Sequence, residues 1–524
     1  MESFFAIPII NFKDQFLKNQ FFSFKWLVFT KIRVNKDSIE KKINAFKNTE
    51  MKNIFYLLSI SFMMCFAFFV QSQEIPWEGK SVEFSHGKLK VSENKRFLEF
   101  EDGTPFFYSG DTGWQLFQRL TKEDALKYLE NRRQKGFTVI QAVALAELDG
   151  IYTPNVYGEL SLVNGDPLHP NEKYFQHMDW VIKKAAEKGI FIGLLPTWGD
   201  KIDPQWGKGP KVFNTVNAQK YAAWIANRYK DYQNIIWING GDRQGGGANF
   251  AVWDVIGKTI KSIDKNHLMT FHPWGGTSSS AWFQDCEWLD FNMMQTGHAQ
   301  RSYAIYKQLM IPDYNRQPTK PVLDGEPRYE DHPVNWLPDV LGWFNDADVR
   351  QAAYWGVFSG GMGSTYGCHP IWQFYDAGQD PIGLVRHTWK EDLDLPGSWD
   401  MLHLRRLMLS RDYLSRVPDQ SILSDEYVPE TDYIVAIRGN GYALIYTPTG
   451  TEINVDIDKL SFTKVNAYWF DPRTGESTFI ESFAGTGKKK FKPLTTGRGN
   501  DWVLVLDDAK KKYSAPGLST QPSN

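Results

Sequence analysis

From Phe106 onward the chain alternates short apolar runs with stretches of helical periodicity, and it does so eight times over about 310 residues. The apolar runs are Phe106 to Ser109, Phe137 to Ala144, Ile190 to Leu195, Ile235 to Ile238, Leu268 to His272, Phe291 to Gln295, Pro321 to Glu326 and Gly363 to Tyr366. Helical stretches follow at Thr121 to Gly136, Tyr174 to Gly189, Ala218 to Lys230, Asn249 to Ile263, Ser302 to Leu309, Asp346 to Phe358 and Leu402 to Leu414. Regular alternation of this kind builds either a closed (β/α)8 barrel or an open doubly wound sheet. No glycine-rich phosphate loop opens the first helix, which argues against the open sheet. Polar or aromatic residues recur after almost every strand, at Asp111, Gln141, Trp198, Asp242, Trp274, His298, Glu326 and Tyr366. A site ringed by eight loops requires that pattern. The expected fold is therefore a (β/α)8 TIM barrel spanning residues 106–416.

After Val417 the periodicity changes to short strands separated by Gly-Asn-Gly, Pro-Thr-Gly and Arg-Thr-Gly turns. Residues 417–508 read as a small all-β sandwich, followed by a Lys-, Ser- and Pro-rich tail at 509–524. Ahead of the barrel, residues 73–105 carry a β-hairpin turning at Glu93-Asn94-Lys95. Residues 51–72 are a Met and a Lys before a long apolar run ending Val70-Gln71-Ser72, the pattern of a secretory signal peptide. A transmembrane anchor is the alternative, for which the run is somewhat short. Cys65 lies inside the run, but Phe62-Met63-Met64 before it makes a poor lipid-attachment signal. Residues 1–50 are an upstream extension without clear periodicity. The expected location is outside the cytoplasm, periplasmic or extracellular, and the mature form keeps two cysteines, Cys286 and Cys368, with no disulfide framework.

The chemistry expected at the barrel mouth rests on two acids. Asn234 to Gln244 reads as a buried strand dropping into Asn239-Gly240-Gly241-Asp242, and Pro321-Val-Leu-Asp-Gly-Glu-Pro places Glu326 at the end of the seventh strand. Strands four and seven face one another across a barrel mouth. Two carboxyls there flank a substrate as hydrolysis of a glycosidic bond requires, one as general acid/base and one as nucleophile. Asp242 takes the first role and Glu326 the second. The glycine pair before Asp242 is expected to leave clearance for a sugar ring. Asp324 shares the face of Glu326, but the longer side chain nearer the strand end is preferred.

The chain's 20 tryptophans and 15% aromatic content suit either sugar stacking or a large core. Trp114, Trp198, Trp274 and Trp372 are the stacking candidates. Asp111 either bonds a sugar hydroxyl or caps the first loop. His272 and His298 either orient a carboxylate or bind hydroxyls, and Gln141, Asn239 and Tyr366 complete the substrate-binding candidates. Glu147 and Asp149 carry a weak signal for a distal subsite. There is no HExxH, no Gly-x-Ser-x-Gly and no EF-hand loop, so no metal and no cofactor is expected. Gly485-Thr-Gly-Lys-Lys lacks the spacing of a phosphate loop and reads as a turn. A net charge of −2 leaves no electrostatic footprint for nucleic acid. The expected partner is an oligosaccharide or polysaccharide, with no membrane in the mature form.

Three stretches carry a family resemblance. Gly87-Lys-Leu-Lys-Val-Ser-Glu-Asn-Lys-Arg-Phe-Leu with Asp102-Gly-Thr-Pro-Phe-Phe-Tyr-Ser-Gly-Asp-Thr-Gly-Trp resembles the start of the apiosidase-like glycoside hydrolases of family 140. Asn234 to Gln244 and Pro321 to Glu330 are similar to that family's catalytic strands. Tyr468-Trp-Phe-Asp-Pro-Arg-Thr-Gly resembles its C-terminal β-sandwich of collagen-binding type. The resemblance implies an exported hydrolase acting on the branched pentose apiose in pectic side chains, with Asp242 and Glu326 as catalytic acids. A retaining, exo-acting enzyme is expected. An arabinofuranosidase or other furanose or deoxysugar hydrolase, and a carbohydrate-binding protein without catalysis, are the alternatives.

Overall fold

The computed structural model describes residues 74–424 and 429–518. The extension at 1–50, the signal-peptide segment with Cys65 and the last tail residues lie outside the described residues. Among those described, no helix is long and apolar enough to cross a membrane.

Eight parallel strands form the barrel: β1 Tyr108–Thr112, β2 Val139–Val143, β3 Phe191–Leu195, β4 Ile235–Gly240, β5 Met269–His272, β6 Asn292–Gln295, β7 Val322–Asp324 and β8 Gly363–Tyr366. Six of them pair continuously in the order β8-β1-β2-β3-β4-β5, and β6 pairs with β7. Two looser seams close the ring. Asp290 N donates to Met269 O at 2.8 Å beside β5, and Met362 N donates to Val322 O at 2.8 Å beside β8. Every residue of β1, β2 and β3 is buried, because the barrel lumen covers one strand face and helices cover the other.

Long helices pack outside: α1 Lys122–Gln134, α2 Glu172–Glu187, α3 Thr215–Tyr229, α4 Phe250–Ile263, α5 Asp346–Phe358 and α6 Pro396–Leu409. Their starts are set by local chemistry. Thr121 caps α1 by accepting from Asp124 N, and Asn214 and Asn345 build capping boxes at α3 and α5. Helix α6 begins six residues before the expected Leu402, because Pro396 fits the first turn, where its missing N–H is not needed. The β5–β6 connection departs from the expected alternation. It holds one helical turn, Ser280–Phe283, and a short strand, Thr277–Ser278, that pairs antiparallel with β6.

The N-terminal segment is a three-stranded antiparallel sheet, Leu89–Val91, Leu98–Phe100 and Pro105–Phe106. Phe106 meets Phe191, the first residue of β3, at 5.4 Å between ring centroids. The sheet thus closes the barrel end opposite the strand C-termini.

The C-terminal domain is a six-stranded antiparallel sheet with a two-stranded ribbon, Ile453–Asp456 and Lys488–Phe491, over one face. Ile453, Val455 and Phe491 of the ribbon share one core with Ala436, Ile445, Leu504 and Leu506 of the sheet. Val435, Ile437, Leu444 and Val505 belong instead to the core of the barrel. Both faces of the sheet are therefore covered, which explains why Tyr442–Thr447 is buried at every position. Arg350 of α5, itself 1% exposed, joins the domains. It bonds Asp501 of the sandwich at 2.7 Å and Asp400 of α6 at 2.8 Å. Arg411 holds Asp507 through both carboxylate oxygens, and Tyr354 stacks on Tyr446 at 4.7 Å.

Cys286 and Cys368 are both free thiols.

Candidate active site

A cavity of about 600 Å³ opens at the C-terminal ends of the strands. Residues following all eight strands line it, from Trp114 after β1 to Trp372 and Ile382 after β8. Asp242 and Glu326 both face it.

The chain turns sharply to present Asp242. Gly240, Gly241 and Asp242 all have positive φ, at 93°, 118° and 53°. A Cβ on Gly240 would fall 2.4 Å from His272 O, and one on Gly241 would fall 2.9 Å from Gly199 N. The glycines therefore give clearance to the end of β5 and to the loop after β3. That corrects the expectation that they make room for a sugar ring.

Glu326 is held by two imidazoles. His298 Nε2 lies 3.0 Å from Oε1, and His272 Nε2 lies 3.0 Å from Oε2. The Asp242 backbone N–H donates to His272 Nδ1 at 3.3 Å. That nitrogen must therefore be the acceptor, so the ring proton sits on Nε2, the nitrogen 3.0 Å from Glu326 Oε2. His272 thus bridges the peptide that carries one acid to the carboxylate of the other. Trp114 and Trp198 pack on its ring at 5.3 and 5.8 Å, fixing its orientation.

The two acids are pushed apart in acidity. Burial raises the pKa of Asp242, and the neighbouring charge of Glu326 raises it further, against smaller opposing effects of His272, Trp206 and Arg243. Burial also acts to raise Glu326, but contact with the two histidines outweighs it and holds that carboxyl below the usual range. A proton shared by the site therefore rests on Asp242. Glu147, also on the cavity wall, is raised to about 8, chiefly by burial and then by the charge of Asp242.

Of the other sequence candidates, Trp114, Trp198, His298 and Trp372 line the cavity, with His272 directly behind its wall. Five candidates lie elsewhere. Asp111 is fully buried between barrel and α1, accepting from Tyr128 Oη and Arg132 Nε, each at 2.6 Å. It neither meets a sugar nor caps the loop. Strand β1 runs past Gly110 to Thr112, which draws Asp111 into the wall. Gln141 donates to Gly325 O inside the barrel, Asn239 donates to Trp253 O under α4, and Tyr366 donates to Glu330. Trp274 is outside the cavity lining but stacks on Trp206 at 6.4 Å. Asp324 accepts from Thr296 at 2.6 Å and is not part of the cavity lining.

Asp111→Ala is expected to destabilise the fold by about 3–5 kcal/mol, since it strands the buried Arg132. Chemical denaturation measures this, and the folded fraction keeps its turnover.

Several cavity residues had no signal in the sequence. Trp206 donates its indole N–H to Asp242 Oδ2 at 2.5 Å. Tyr329 and His332 pack against His298, each at 4.4 Å, and Asn335 and Trp336 extend that wall. Tyr329 falls inside the Pro321 to Glu330 stretch without standing out there, and His332 and Trp336 sit further along the β7 loop, where neither periodicity nor a motif marks them. Outside the cavity lining, Asp331, His387 and Asp392 bring ligand-type atoms within 4.8 Å of one another, but Asp331 is already paired with Arg386 and His387 Nδ1 lies 3.0 Å from Asp392 Oδ1.

A barrel whose eight loops enclose a pocket walled by two carboxyls, one of raised and one of lowered pKa, is the architecture of a glycoside hydrolase. Solved structures agree. A glycoside hydrolase is 37% identical, with 83% of this chain and 100% of that one covered and a TM-score of 0.77. A family 5 glycoside hydrolase from Bacteroides vulgatus ATCC 8482 is 35% identical, with coverage of 84% and 97% and a TM-score of 0.78. The sequence model of the apiosidase-like catalytic domain matches residues 92–415. The chain belongs to the apiosidase-like family of glycoside hydrolases. A second model, named for the collagen-binding domain of a collagenase, matches residues 417–507. No curated protein matches the chain.

Proposed function

We propose that this hydrolase is an exported, retaining, exo-acting enzyme that removes apiose from pectic side chains. The observation that carries the mechanism is the opposed environment of two carboxyls facing one cavity. Glu326, held ionised by His272 and His298, attacks the anomeric carbon. Asp242, held protonated by burial, gives its proton to the glycosidic oxygen, and the aglycone leaves. A glycosyl ester on Glu326 remains. Asp242, now a carboxylate, takes a proton from water as the water attacks the same carbon, releasing the sugar with its configuration retained. Exo-action is the reading for a cavity of about 600 Å³ lined from all eight loops, a size suited to a chain terminus or branch.

The substrate reading rests on family membership. It is tested by incubating purified protein with pectic side-chain oligosaccharides, identifying the product and following its anomer by NMR. Release of apiose as the same anomer it held in the substrate supports the proposal. Release of arabinose or another sugar overturns the specificity, and an inverted first product overturns the mechanism.

The pH dependence has a definite sign. Turnover requires Glu326 ionised and Asp242 protonated. The profile of kcat/KM is expected to be a bell. Its acidic limb lies below the ordinary carboxylate range, because Glu326 is lowered, and its alkaline limb lies above that range, because Asp242 is raised. A profile with no alkaline fall before pH 9 would exclude Asp242 as the acid.

A further inference from the structure

We infer that Trp206 is a positioning residue for Asp242: its indole N–H determines which carboxyl oxygen carries the catalytic proton. The inference rests on the assignment of Asp242 as acid/base.

An indole nitrogen donates and cannot accept. The oxygen it meets, Oδ2, is therefore an acceptor in both protonation states of Asp242. The carbonyl oxygen is the better acceptor, so this contact favours the proton on Oδ1, which has no hydrogen-bond partner among the described residues. One oxygen is anchored to protein and the other is left for the substrate. Without the anchor, the proton is shared between two oxygens and the carboxyl is free to rotate.

The anchor is itself secured. Arg243, fully buried, donates from Nη1 to Asp242 O at 2.7 Å, from Nε to Asp203 O at 2.7 Å, and from Nη2 to Trp206 O. Its guanidinium lies 4.2 Å from the centre of the Trp206 ring. One side chain thus locks the β3 loop to the end of β4 and flattens the indole beneath a cation. Trp274 stacks on the same ring at an interplanar angle of 12°. Gly207, at φ +94°, turns the chain immediately after Trp206, where a Cβ would meet Asp200. No substrate is needed to assemble this arrangement. Trp206 remains 42% exposed and forms part of the cavity wall, so replacing it opens no core cavity.

The ionisable groups around Asp242 are Glu326 on β7, His272 on β5, Arg243 beside it, and Glu147 and Lys208 on the loops after β2 and β3. All stay in place when Trp206 becomes Phe, so the loss of the N–H is isolated. A donor to an ionised carboxylate favours ionisation. Its removal should therefore raise the pKa of Asp242 still further.

The test uses the whole chain labelled with carboxyl-¹³C aspartate. The Asp242 resonance is assigned by its disappearance in Asp242→Asn, and its titration midpoint is compared in wild type and Trp206→Phe. An upward shift of about 1 pH unit is expected. Turnover then distinguishes positioning from a general structural effect. On dinitrophenyl apioside, whose leaving group needs little protonation, Trp206→Phe should retain kcat within about threefold. On phenyl apioside it should lose about 10- to 100-fold. In the Asp242→Asn background the same change should cost nothing more. An unmoved midpoint, or losses that are uniform across leaving groups and additive with Asp242→Asn, would overturn the inference. Unimpaired turnover of phenyl apioside by Asp242→Asn would instead refute the acid/base assignment.

Discussion

Glu326→Gln is expected to lower kcat by about 10⁴-fold or more, and Asp242→Asn by about 10²–10⁴-fold, with ligand binding largely kept. Neither change removes volume, and both side chains sit beside the cavity rather than in a packed core, so the fold should persist. The two losses differ in how they are repaired. With Asp242→Ala, added azide attacks the glycosyl ester from the face that water normally uses, giving a glycosyl azide of retained configuration. With Glu326→Ala, azide takes the place of the missing carboxylate and gives the inverted product. NMR of the azide adducts reads both outcomes. Full turnover in either carboxamide variant would leave the protein a sugar binder, or move the chemistry to another residue.

Removal of residues after Arg416 is expected to leave no soluble, active barrel. The sandwich sheet buries Val435, Ile437, Leu444 and Val505 against the barrel, and Arg350 would lose Asp501 while remaining enclosed by α5 and α6. Breaking the pair alone, by Asp501→Ala, should cost about 3–5 kcal/mol, because the cation stays buried. Size-exclusion chromatography of the truncated chain and a denaturant melt of Asp501→Ala provide the measurements. A truncated barrel that is monomeric and active would show the sandwich to be an independent appendage.

The sequence reveals the barrel because strands such as β2, β3 and β4 are buried on both faces and so read as largely apolar runs recurring between helices. It reveals the two acids because strand ends are marked by glycines and a proline. What stays hidden depends on partners distant in the chain. Asp111 looks like a mouth residue until Arg132, on the following helix, claims it. Gln141, Asn239 and Tyr366 look available because a strand pattern does not say whether a polar side chain points to the lumen, a helix or the pocket. Trp206 lies far beyond β3 in a loop of Pro and Gly, and only the fold brings it to Asp242. The role of the glycine pair was legible as a need for space, but the occupant of that space was not. Strand β1 extends three residues beyond the expected Ser109, because Gly110, Asp111 and Thr112 do not read as apolar although all are buried.

The eight-loop enclosure also imposes an order on events. Under the proposed retaining mechanism such a socket would empty last-in, first-out: the aglycone, nearest the opening, would depart while the sugar is still tethered below. Water reaches the anomeric carbon through the space just vacated. An alcohol present at high concentration competes for that same vacancy, so the enzyme is expected to build new glycosides as well as break old ones, and the ratio of the two products reports how freely the mouth exchanges its contents.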